Sequence, residues 1–151
     1  MLAGDLAPDF TLLDQDGVER TLSDMLLQGP IALFFYPAAM TAGCTKETCH
    51  FRDLAREFSA LGAQRVGISM DDPERQAMFS AKNQVDFPLL SDRDGVVAKA
   101  FGVKRSLGFL KTRRSTFVID RDRRVVEVIT SELNMEIHAD RALNALRAMT
   151  S

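Results

Sequence analysis

No run of apolar residues in the chain approaches the ~20 needed to cross a bilayer, and the opening MLAGDLAPDF carries no basic stretch leading into an apolar one. A soluble, unexported, cytoplasmic protein is therefore expected. A charge excess is also lacking. The 19 Lys and Arg against 21 Asp and Glu leave a formal net charge of -2, which offers no field for nucleic acid or an anionic membrane. Cysteine is scarce as well: Cys44 and Cys49 are too few for a secreted disulfide framework, and in a reducing compartment such a pair is metal-binding or catalytic. No internal repeat, linker or low-complexity segment divides the 151 residues, and 46% hydrophobic with 26% charged residues is the balance of one globular unit with a core. Residues 1–151 are thus expected to form a single domain whose partners are small molecules or proteins.

Local patterns alternate between strand and helix. Phe10 to Leu22 alternates about Asp16-Gly17, a dipeptide of tight hairpins. Ser23 is placed to cap a short helix ending at Gly29. The unbroken apolar run IALFFY, Ile31 to Tyr36, reads as a strand buried on both faces. From about Cys44, apolar positions at Phe51, Leu54, Ala55, Phe58 and Leu61 recur at helical spacing, predicting one long amphipathic helix that stops at Gly62. Arg65 to Ser69 is a second core strand, and Asp72-Pro73 supplies an N-cap and first-turn proline for a helix to about Asn83. A short strand at Phe87 to Leu90, a helix from about Asp94 to Phe101 and a hairpin of Ser115 to Asp120 with Arg124 to Thr130 follow. A last helix, about Ile137 to Met149, puts Leu143, Leu146 and Met149 on one face. This order predicts an α/β fold with a mixed sheet covered by helices on both faces.

Cysteine reacts as its thiolate, and at an ordinary pKa near 8.5 only about 3% is ionised at pH 7. Cys44 stands in the first turn of its predicted helix, where unpaired N–H groups favour negative charge by about 0.3–1 kcal/mol. A mostly ionised thiol needs about 2.7 kcal/mol, so an arginine or lysine from elsewhere in the chain is required beside it. At 100° per residue, Cys44 lies within about 20° of the apolar stripe and Cys49 about 160° from it. Cys44 is expected to face the core and Cys49 to face outward. An intact helix holds their Cα atoms roughly 8.6 Å apart, beyond the about 4.4–6.8 Å of a disulfide. Any bond between them demands unwinding.

The segment Pro37-Ala38-Ala39-Met40-Thr41-Ala42-Gly43-Cys44 has proline, three residues, threonine, two residues and cysteine, and Cys49 follows five positions later. This pattern resembles the peroxiredoxins, in particular the peroxiredoxin Q or bacterioferritin comigratory protein branch. The resemblance continues through FFYP, FRD, FPLLSD, FGV and RSTFVID over nearly the whole chain. It implies a thioredoxin-like fold with an N-terminal β-hairpin extension. It further implies that Cys44 is the peroxidatic cysteine, that Cys49 resolves it as an intramolecular disulfide, and that Thr41 bonds to thiolate and peroxide. By the same resemblance Pro37 shields the pocket, Arg114 supplies the required cation, Glu47 orients that arginine, and amides near Gly43 and Cys44 stabilise developing charge. Peroxide as substrate, a thioredoxin-type dithiol as reductant and no cofactor or metal are implied too. A resolving thiol in the same chain makes a monomer sufficient. The branch usually has proline where this chain has Ala42, from which a looser loop is expected, and Ala38 and Ala39 replace positions that are often polar.

Other readings of the same residues are a buried inert Cys44, a metal site from Cys44, Cys49 and His50, a redox sensor without turnover, and a thioredoxin-like disulfide oxidoreductase. The last would be expected to carry C-x-x-C, and this chain has C-x4-C. His50 and His138 are expected to be solvated or structural. Lys104, Arg105, Lys111, Arg113 and Arg114, interleaved with Leu107, Phe109 and Leu110, are expected to form a loop flanking the cysteine site, with Arg113 the competitor of Arg114 for the cation's place.

Overall fold

A computed structural model describes residues 1–105 and 112–150. In chain order the elements are β1 (Thr11–Leu13), β2 (Glu19–Thr21), α1 (Leu22–Met25) with a 3-10 turn Leu26–Gln28, β3 (Ile31–Phe35), α2 (Ala42–Asp53) and α3 (Ala55–Ala60). They continue with β4 (Gln64–Ser69), α4 (Pro73–Asn83), β5 (Leu89–Ser91), α5 (Val96–Ala100), β6 (Ser115–Ile119), β7 (Val125–Thr130) and α6 (Ile137–Thr150). The strands form one mixed sheet in the order β2-β1-β5-β4-β3-β6-β7. β3 lies inside it, parallel to β4 and antiparallel to β6.

The unbroken apolar run of β3 is explained by the two cores it serves. Ile31, Leu33 and Phe35 pack on one face with Leu22 of α1 and Val97 and Ala98 of α5. Ala32, Phe34 and Tyr36 point to the other face, among Cys44 and Phe51 of α2, Phe58 of α3, Phe79 of α4 and Leu143 and Leu146 of α6. Alternation along a strand thus loads both faces with carbon. Gly67 of β4 makes this possible: a Cβ there would come within 2.8 Å of Leu89 and 2.9 Å of the Phe34 ring.

Several local expectations need correcting. The helix predicted to run unbroken to Gly62 is two helices, interrupted at Leu54, whose φ of -95° and ψ of 21° leave the helical region. Arg65 accounts for the interruption, because its guanidinium donates to the carbonyls of Phe51 (3.0 Å) and Arg52 (3.4 Å), which a continuing helix would pair with amides four residues on. Ser23 caps nothing. Thr21 holds the N-cap position of α1, and the Ser23 amide and hydroxyl donate to Asp9 at 2.9 and 2.7 Å. Met149 is partly exposed while Leu143 and Leu146 are buried. The helix expected from Asp94 begins later, after Gly95, with the Asp92 carboxylate accepting from the amides of Val97 (3.1 Å) and Ala98 (2.8 Å). Asp72 does cap α4, accepting from the Arg75 amide at 2.8 Å, with Pro73 in the first turn.

Candidate active site at the start of α2

Seventy residues separate Cys44 from Arg114, and sheet topology removes that distance. The antiparallel register of β3 with β6 sets Phe35 opposite Ser115. The residue before β6 therefore stands where the chain leaves β3 through Tyr36 and Pro37. From there a short loop turns into α2, and Cys44 falls in its first turn. The Arg114 guanidinium meets it: Nη2 donates to Cys44 Sγ at 3.3 Å, and Nη1 donates to Glu47 Oε1 at 2.7 Å. Cys44 and Glu47, three residues apart, share one face of the helix, and both are fully buried, with Arg114 only 5% exposed. Arg113 is exposed.

Burial sets the electrostatics. It pushes the Glu47 carboxyl up to about 8, against the pull of Arg114. For Arg114, burial works downward, and the neighbouring Glu47 and Cys44 outweigh it to hold the guanidinium above its ordinary value. The cation is therefore always present at the sulfur. Helix geometry adds to it, since the first-turn amides of α2 have no carbonyl of that helix to pair with. No acidic side chain sits in that turn, and Thr41 at the N-cap makes no side-chain capping bond.

The loop between β3 and α2 is held from behind. Asp71 Oδ2 accepts from the Ala39 amide (2.7 Å) and the Ser69 hydroxyl (2.6 Å), and Asp71 also pairs with Arg75 at 3.1 Å. Gln76 donates to Ser69 Oγ at 2.9 Å and accepts from the Tyr36 hydroxyl, so the buried polar groups under the loop are joined. Met40 takes a left-handed φ of 68°, a conformation of order 1 kcal/mol or more for a non-glycine residue. Ala42 is the first residue of α2, the position a proline would also tolerate.

Pro37 and Ala39 are buried and Thr41 is exposed. The Thr41 hydroxyl donates to the Ala38 carbonyl at 2.8 Å, and no hydrogen bond joins it to Cys44 among the described residues. Gly43 leaves room for two neighbours: a Cβ on it would lie 3.1 Å from Met135 Cε and 3.3 Å from Arg114 Nη2. Cys49 is half-buried rather than outward, its Sγ 3.7 Å from Asn83 Oδ1 at the end of α4. Both cysteines are free thiols. His50 turns to Asp140 at 2.8 Å, away from either sulfur, so the imagined Cys44, Cys49 and His50 metal set is not assembled.

Comparison with known proteins bears directly on this geometry. Residues 3–128 match the AhpC/TSA family. Peroxiredoxin Bcp of Escherichia coli strain K12 is 40% identical over 150 residues, covering 96% of this chain and 95% of its own. The crystal structure of peroxidoxin BcpB from Mycobacterium tuberculosis superposes with a TM-score of 0.96 at 56% identity, over 100% of this chain and 99% of that one. The bacterioferritin comigratory protein of Xanthomonas campestris, studied for alkyl peroxide reduction, gives a TM-score of 0.87 at 31% identity, over 100% and 98% of the two chains. This chain belongs to the peroxiredoxin family. It has the thioredoxin-like fold of that family, and the family's activity makes it a thiol-dependent peroxidase.

Around the cysteine this peroxiredoxin has parts to which sequence reasoning gave no role. Glu132, in the connection before α6, accepts from the Arg114 amide at 3.2 Å and from Arg105 at 2.7 Å, fixing the backbone that carries the cation. His138 is fully buried beside Glu47, and Asp71 anchors the loop. Met135 covers Gly43. None of them lies in a motif. The one available signal was the polarity of Glu132 and His138 flanking an otherwise amphipathic helix. Of the expected flanking loop, Leu107, Phe109, Leu110 and Lys111 lie outside the described residues, and Arg105 is committed to Glu132. No helix among the described residues is long and apolar enough to cross a membrane.

Proposed function

We propose that the Cys44 thiolate attacks the O–O bond of hydrogen peroxide or an organic hydroperoxide, forming a sulfenic acid and releasing water or an alcohol after protonation of the leaving oxygen. Cys49 then condenses with the sulfenic acid, losing water and closing an intramolecular disulfide, and an external dithiol of the thioredoxin type returns both thiols by exchange. The observation that carries this reading is the buried Arg114 guanidinium donating to the Cys44 sulfur at 3.3 Å. A cation fixed there stabilises the thiolate and then the charge developing on the departing oxygen.

The same proposal assigns the remaining roles. Glu47 holds Arg114 in register through the 2.7 Å bond. Because the Thr41 hydroxyl donates to Ala38, its lone pairs are free to accept a peroxide O–H. Pro37 and Ala39, both buried, would exclude water from the sulfur, and the first-turn amides of Gly43 and Cys44 would stabilise the developing charge. The cycle needs no cofactor or metal and no second subunit, in keeping with a monomeric cytoplasmic enzyme formed by residues 1–151. The Xanthomonas campestris relative's alkyl peroxide activity supports including organic hydroperoxides.

The test mixes reduced protein with one equivalent of hydrogen peroxide, quenches within about a second and maps the products by non-reducing mass spectrometry. The expected product is a Cys44–Cys49 link, absent in Cys44→Ser and replaced by a Cys44 sulfenic acid in Cys49→Ser. Thiols left unmodified after minutes would exclude the proposed cycle.

A further inference from the structure

Beside the site lies a buried imidazole that the cycle above does not use. His138, near the start of α6, is 0% exposed, as is Glu47. Its Nε2 lies 2.8 Å from the Ser131 carbonyl, which can only accept, so Nε2 carries the hydrogen. Nδ1 lies 2.8 Å from the Thr116 hydroxyl and 3.7 Å from Glu47 Oε2. Oε2 is itself buried without a hydrogen-bond partner. With Nε2 protonated, Nδ1 accepts from the Thr116 hydroxyl at 2.8 Å and also lies 3.7 Å from a carboxyl oxygen, with no hydrogen between them. Two electronegative atoms so placed repel unless a proton is held by one of the two groups.

We propose that His138 is a positioning residue for the thiol site: together with Glu47 it retains one proton, and the presence of that proton decides how much of the Arg114 charge is left for Cys44. With the proton held, the pair is neutral overall and Arg114 acts on the sulfur undivided. With the proton lost, a bare Glu47 carboxylate 2.7 Å from Arg114 Nη1 neutralises much of that charge. Burial pushes Glu47 up and His138 down, so the proton rests mainly on the carboxyl. The charged groups facing the pair are Arg114 before β6, Glu132 before α6, which is already paired with Arg105, Arg141 of α6, which is paired with Glu127 of β7, and the Cys44 sulfur. None of them offers Oε2 a hydrogen.

This inference rests on Cys44 being the reactive thiol, and its test uses no peroxide. In a Cys49→Ser background Cys44 is the sole thiol, and its alkylation by iodoacetamide is followed from pH 5 to 9. His138→Gln can still donate to Ser131 but cannot hold the proton, and its amide favours the carboxylate. The rate of alkylation at pH 6 is expected to fall about 3- to 10-fold. In a Glu47→Gln background, where position 47 is neutral at every pH, the same His138→Gln change is expected to alter the rate less than about twofold. Equal falls in both backgrounds, or none in either, would overturn the proposal. Should His138→Gln fail to fold, the His138 ring is followed by NMR over the same range. A ring signal that moves with pH and ceases to do so in Glu47→Gln supports the shared proton, and identical behaviour with and without the carboxyl overturns it. Coupled alkylation in a protein that consumes no peroxide would refute the peroxidase cycle and leave this inference standing.

Discussion

Helix α2 carries one cysteine in its first turn and one past its middle, and treats them differently. At the N-terminal end Cys44 is fully buried, with a guanidinium at 3.3 Å, and that guanidinium is fixed by Glu47 on one side and by Glu132 through its backbone on the other. Toward the other end Cys49 is half-buried, and its recorded polar neighbour is an amide oxygen 3.7 Å away. One thiol lives in a fixed field. The other has a single long side-chain contact. Five residues on a helix of 3.6 per turn are enough to produce this contrast, because they place the second sulfur on a different side from the first.

The most severe way to break that contrast is to remove the less constrained thiol. Cys49→Ser is expected to leave the first oxidation of Cys44 at its original rate and to abolish turnover with a dithiol, which stopped-flow peroxide consumption over one and then many equivalents resolves. Next comes removal of the locked charge. Arg114→Met is expected to lower the rate of that first oxidation on the order of 100-fold at pH 7. It should also destabilise the fold by about 1–3 kcal/mol in urea titrations, because Glu47 is left buried without its donor. The loss stays below that of a stripped buried ion pair, since burial already keeps a proton on Glu47 below about 8. A smaller effect is expected at the interruption of the helix: Arg65→Met frees the Phe51 and Arg52 carbonyls and should cost about 1–2 kcal/mol while quickening disulfide closure after oxidation.

The smallest effect concerns pH. Glu47 has a folded value of about 8, raised above its ordinary 4.5. A raised value means that its contribution to stability is full below about 4.5 and is lost as pH rises through about 8. Urea midpoints of the native protein should therefore decline between those limits, and Glu47→Gln should flatten the decline. A slope unchanged in the variant would show that the carboxyl is ionised throughout the range.

Much of the fold was legible because its periodicities are strong. The apolar run of β3, the Asp72-Pro73 start of α4 and the hairpin about Arg121 to Arg123 each follow from local chemistry, and each stands where the pattern put it. The helix break at Leu54 was hidden, because the residue that causes it, Arg65, lies in the next strand and competes for carbonyls only after folding. Ser23 misled for a similar reason: Asp9, fourteen residues earlier, takes its amide and hydroxyl. At the site, the need for a second cation could be argued from the thiol's acidity alone, and motif similarity picked Arg114 over Arg113. Burial now separates the two arginines independently. His138, Glu132, Asp71 and Met135 belong to no motif, and nothing short of the packed chain brings them to the cysteine.

The interruption at Leu54 has a mechanical meaning. A helix continuous from Ala42 to Ala60 would pass any unwinding at its start along a single ladder of bonds toward Phe58, which is anchored in the core. Here the ladder is already cut. Phe58 donates to Leu54 at 3.1 Å and closes α3 on its own side of the cut, while Arg65, tied to Asp86 at 2.9 and 3.0 Å, clamps the severed end of α2. Under the proposed cycle the chain has a tear line: unwinding at the start of α2 that brought the two sulfurs together would stop at a boundary written into the strand beside it.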